Sequence, residues 1–185
     1  DNADFNNTND EDGWFLDDVA VYRYDPVYAS LPYTEDFESG QLGESWQQAL
    51  PMESTQAIYI RPGSRVEVTE GSGQNGSYGL VLGRITDGTY TVTAIDLNLD
   101  LSNYAQAELS FAFGDYFDET QGDDGIWFSD DGGETFAKVY QLNPAGISGF
   151  QTFVLDIDSL AYAQNMRLSG EFVVRFQQGD DADFN

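Results

Sequence analysis

Acidic side chains are the chemistry this chain carries in quantity, and four groups of them stand out by spacing. "TEDFESG" places Asp36 and Glu38 two positions apart, and "FLDDV" sets Asp17 and Asp18 between apolar neighbours. "NNTNDEDG" offers Asp10 and Asp12 beside several amide oxygens, and "GDYFDETQGDDG" offers Asp115, Asp118, Asp123 and Asp124. A carboxylate inside a half-buried strand is costly unless it is paired or bound to a metal. Alternation turns half of such acids to solvent, so each group also reads as solvated surface. Calcium is hard and divalent and prefers oxygen donors, which makes Ca2+ the cofactor these clusters imply. The EF-hand loop is rejected, because Asn6–Gly13 lacks its ligand spacing and its distal Glu.

Other chemistries are narrowed by what the 185 residues omit. With no histidine and no cysteine, His-based triads, thiolate nucleophiles, disulfides and the usual zinc ligand sets are excluded. A glycosidase needs one carboxylate pair in unequal environments, and nothing singles out two acids among 33. A lyase would have to rely on Tyr and Arg, since Lys138 is the sole lysine. The chain is therefore read as non-enzymatic. A formal charge of −26 repels phosphate backbones and anionic membranes, so neither nucleic acid nor membrane insertion is expected. For sugar binding, Trp46, Tyr59, Tyr104, Tyr116 and Trp127 could offer stacking faces, or could equally serve the core.

The elements that must position these residues follow from period-two alternation. "TAIDLNLDL" puts Ile95, Leu97, Leu99 and Leu101 on one face and Asp96, Asn98 and Asp100 on the other. "EFVVRFQQ" separates Phe172, Val174 and Phe176 from Val173, Arg175 and Gln177. "ELSFAF" and "TFVLDI" repeat the pattern, and further strands are expected at Trp14–Tyr22, Tyr33–Glu38, Arg65–Thr69, Tyr78–Arg84, Gly125–Ser129 and Phe136–Leu142. Such segments are half-buried antiparallel strands. "DSLAYAQNM" suggests one short helix capped by Asp158 or Ser159. About ten short strands with Gly/Asp/Ser turns predict an all-β, two-sheet antiparallel sandwich of the jelly-roll kind. "SDDGGETF" (Ser129–Phe136) fits the Asp-box pattern, a hairpin whose acid caps turn amides and whose Phe136 returns to the core.

The chain opens with "DNADFN" and, 179 positions later, repeats it as "DDADFN" with one difference. Residues 23–32, "RYDPVYASLP", carry two of the five prolines and read as a stiff linker. It divides a terminal strand segment, residues 1–22, from a sandwich body, residues 33–185.

The ordered run "LPYTEDFESGQLGESW", "GSYGLVLG", "DGIWFSDDGGETFAKVYQL", "FVVRFQQGDD" and "DEDGWFLDDVAVY" resembles MAM-like and cleaved-adhesin-like modules of bacterial secreted and surface proteins. In such modules the "GWFLDDVAVY"-like strand comes last, whereas here it comes first. The resemblance therefore implies one period of a tandem array, cut inside a module, extracellular or on the cell surface. It also implies a calcium site joining Asp36 and Glu38 to Asp17 and/or Asp18. Neighbouring copies of the repeat, in cis or by strand donation, are the expected partners, with a surface glycan or protein for an adhesin module.

Overall fold

The computed structural model describes residues 25–48, 64–74, 77–84, 91–114, 120–143 and 147–180. Ten strands lie within these segments: β1 (Ala29–Ser30), β2 (Trp46–Gln48), β3 (Ser64–Glu70), β4 (Tyr78–Arg84), β5 (Thr91–Asp100), β6 (Glu108–Gly114), β7 (Gly125–Ser129), β8 (Ala137–Gln141), β9 (Phe150–Asp156) and β10 (Phe172–Asp180). A single short helix, α1 (Ile157–Ala163), interrupts them.

The main sheet runs β1-β5-β10-β7-β8, with β2 also paired to β5. Its centre is the antiparallel ladder from Phe172↔Leu99 to Asp180↔Thr91. Leu97, Leu99, Phe172, Val174, Ile126 and Phe128 fill one face of that sheet and are buried. The β6–β9 ladder lies across this face: the Phe111 ring meets Phe153 at 5.5 Å and Phe176 edge-on at 5.3 Å. Alternation along both ladders therefore closes an apolar layer between two sheets, as expected of a sandwich. The β3–β4 hairpin joins the same side, since Thr93, on the face of Ile95, donates its hydroxyl to the Gly83 carbonyl at 3.1 Å.

Four local expectations are corrected. Tyr33–Glu38 is not a strand, because its own acids capture its amides. Glu35 Oε1 accepts the Phe37 N–H at 3.0 Å, and Asp36 Oδ1 accepts that of Glu38 at 3.1 Å. Phe37 sits at φ 61, and the Gly40 N–H closes the turn on its carbonyl. The helix cap is Asp156, whose side chain accepts the Ser159 N–H at 2.9 Å; Asp158 instead receives the Ala107 N–H at 3.1 Å. β5 and β10 are buried on both faces rather than half-buried: Asp96, Asn98, Val173, Arg175 and Gln177 are all enclosed. Phe136 lies on this second face, over Arg175, rather than in the main apolar cluster.

Part of the presumed linker also belongs to the sheet. Ala29 and Ser30 pair in parallel with Leu99 and Asp100, and Tyr104 donates its hydroxyl to the Leu31 carbonyl at 2.7 Å. The Trp14–Tyr22 strand, the jelly roll's closing strand by resemblance, lies outside the described residues.

Candidate functional site

Three polar arrangements emerge. At the first, the turn after Tyr33 presents Asp36 and Glu38, both exposed, at the surface. Phe37, between them, turns inward and its ring stands 5.7 Å from Trp46, which in turn lies 5.8 Å from Phe176. An inward aromatic at positive φ thus holds two outward carboxylates on one short turn. These are hard oxygen donors of the kind calcium takes, but two carboxylates fall short of its six to eight ligands. Among the described residues no three acidic side chains are grouped so as to hold a metal ion. Asp10, Asp12, Asp17 and Asp18 lie outside the described residues, as do Asp115 and Asp118.

At the second, the loop ahead of β7 is tied to the sheet end. Asp124 is 2 % exposed, and its two oxygens accept the N–H groups of Gln121 and Gly179. Burial pushes its carboxyl above the usual range, and those N–H donors pull the other way. Asp123 contributes its carbonyl, which accepts from Gln177 Nε2 at 3.1 Å. Lys138 donates to the Gly122 carbonyl and to the Gln141 side chain. The pair Asp123–Asp124 thus fastens a loop to β10, and only Asp124 is fully enclosed.

The third arrangement was not singled out from the sequence. Arg175 and Asp96 stand opposite each other in the central ladder. Their fork is bidentate, at 2.7 Å from Nε to Oδ1 and 2.9 Å from the second nitrogen to Oδ2. The Phe136 ring covers the guanidinium at 3.7 Å, a cation–π contact in a site shielded from water. The signal available in the sequence was an arginine in the middle of a strand whose other residues up to its final Asp180 are uncharged, with an aspartate at the matching place in another.

The Asp-box turn is built as its pattern predicts. Asp131 accepts from Ser129 Oγ at 2.6 Å, from the Thr135 N–H at 2.9 Å and from Thr135 Oγ1 at 2.6 Å. Of the aromatics proposed as stacking faces, Trp46 is packed between rings and Tyr104 anchors Leu31. Trp127 lies beside Arg175 in the ladder, its indole N–H buried without a hydrogen-bond partner among the described residues. Tyr59 and Tyr116 lie outside the described residues.

Comparison with protein-family models finds no match, and a search of curated proteins also finds none. Among the described residues, no helix is long and apolar enough to cross a membrane.

Proposed function

We propose that the chain is a calcium-stabilised structural repeat of an extracellular bacterial fibre or giant surface adhesin, joined end to end with copies of itself. The observation that carries this reading is the repeated hexapeptide. Its second copy starts at Asp180, the last residue of β10 in the middle of the main sheet. In an array the residues after β10 would then be those that follow Asn6 here, and "GWFLDDVAVY" would be the closing strand of the preceding jelly roll. That strand would bring Asp17 and/or Asp18 to the preceding copy's equivalent of the turn bearing Asp36 and Glu38, giving calcium a fuller oxygen set. The calcium would lock the strand ends, while the acidic surface keeps copies from packing sideways.

Two measurements test it. Calorimetry with calcium, with EDTA, and with sodium at matched ionic strength isolates specific binding from screening. A thousandfold excess over the dissociation constant should stabilise the fold by about 4 kcal/mol. Equal stabilisation by sodium would overturn the calcium part. Moving residues 7–22 to follow Asn185 restores the proposed order, and should raise both the melting temperature and the calcium response. No gain from that rearrangement would overturn the array part.

A further inference from the structure

The central strand poses a register problem that its apolar side does not solve. Phe172, Val174 and Phe176 face Leu99, Leu97 and Ile95 across the ladder. A slip of two residues returns every side chain to its own face, so Phe172 and Val174 would again meet apolar partners and Phe176 would meet Leu97 or the Thr93 side chain, a weak penalty in either direction. The opposite face is different. There Arg175 meets Asp96, and a slip of two would set it against Asn98 or Ala94. The Arg175 and Asp96 side chains are only 3 % and 12 % exposed, so a slip would break the bidentate fork between them inside the sheet, a loss proteins do not tolerate cheaply.

The direction of β10 adds a mechanical consequence. It lies between β5 and β7 and runs antiparallel to both. Tension on its C-terminal end therefore loads both ladders lengthwise, and the first step of withdrawal is a slip along the strand. We propose that Arg175 and Asp96 form a shear lock: a bidentate pair, capped by Phe136, that fixes the register of β10 and resists its withdrawal under load. The lock depends on the array reading only for its purpose, the transmission of tension from copy to copy.

The chain has no cysteine, so one introduced at Asp25 and one at Asn185 give unique handles for single-molecule pulling. The quantity to read is the unfolding rate under a fixed lengthwise load divided by the rate without load. In Asp96→Leu with Arg175→Met, apolar burial replaces the pair without its directionality. That ratio should rise about tenfold, the effect of about 1.4 kcal/mol on a barrier. Asp96→Asn, which keeps the shape of the site, should raise it in the same direction and serves if the double variant does not fold. A ratio equal to that of the original chain in whichever variant folds would overturn the lock. If the native polypeptide proves to hold a single copy, the array reading falls, while this ratio still decides the lock.

Discussion

Asp124 Oδ1 accepts the Gly179 N–H at 2.7 Å, so a loop residue ahead of β7 holds the end of a strand 55 positions away. The second oxygen is engaged by Gln121. Asp124→Ala would remove the acceptor of the enclosed Gly179 N–H and of the half-buried Gln121 N–H, and should cost about 2–4 kcal/mol in urea unfolding. Asp124→Asn keeps one acceptor and removes the buried charge, so it should cost clearly less. Equal losses would mean that the two hydrogen bonds are not what the carboxylate contributes.

The pH dependence of Asp124 has a definite sign. Burial, its largest influence, raises the folded-state pKa above the ordinary 3.8. The folded chain then binds the proton more readily than the unfolded one, so this contribution to stability is full below 3.8 and fades as pH rises through the folded value. Asp131 runs the other way. Burial alone would raise it, but hydrogen bonds from Ser129 and Thr135 outweigh that and hold it below 3.8. Its stabilisation is present above 3.8 and is lost as pH falls through the lower folded value. Unfolding titrations of Asp131→Asn should therefore show a loss of about 1 kcal/mol at neutral pH that shrinks in acid. A loss independent of pH would show that the turn does not depend on the ionised carboxylate.

The ion pair in the central ladder predicts a non-additive mutant cycle. Asp96→Ala takes the bidentate carboxylate away from the buried Arg175 guanidinium and should cost about 3–5 kcal/mol. The Asp96→Leu, Arg175→Met pair should lie much nearer the original stability, because well-packed apolar side chains replace a buried ion pair with little loss. Equilibrium unfolding of the single and double variants gives the coupling directly. A double variant as unstable as the sum of its singles would mean that the two charges act independently.

Much of this architecture is legible in the sequence because alternation acts locally. Tyr78–Arg84 and Gly125–Ser129 form strands at their expected bounds, and β5, β6, β9 and β10 fall on their alternating segments. Tyr33–Glu38 alternates as well, yet Glu35 and Asp36 bind their own backbone and curl the segment instead; short acids compete with a ladder for the same N–H groups. Ala29–Ser30 and Trp46–Gln48 were not expected, since two or three residues hold no readable period and pair only because β5 offers an edge. Burial of the second sheet face was hidden for a related reason. Asp96, Asn98 and Arg175 read as solvent-facing until Ser45, Phe136 and their mutual pairing enclose and satisfy them. Of the acid clusters, composition marked the carboxylates, but which of them is enclosed depended on the chain returning 55 positions later to Gly179.

Gly125 gives the sharpest test of the backbone around that loop. It opens β7 at φ 151, and a Cβ built there would stand 2.2 Å from the Tyr140 carbonyl oxygen. The neighbouring pairing is irregular, shifting register between Ile126 and Trp127, so β8 already bends at this place. A backbone oxygen cannot swing aside as a flexible side chain can. Gly125→Ala must therefore push β8 away from β7, loosening the pairing that brings Lys138 to the Gly122 carbonyl. The expected cost is about 2–4 kcal/mol in chemical denaturation, in the range of overpacked and strained sites. Faster amide exchange should accompany it in β8 and at Gln121, with β6 and β9 unchanged. Gly122→Ala is the control, because nothing lies within 4 Å of a Cβ placed there. If both substitutions cost the same, the close approach of β8 to Gly125 is not what the glycine is for.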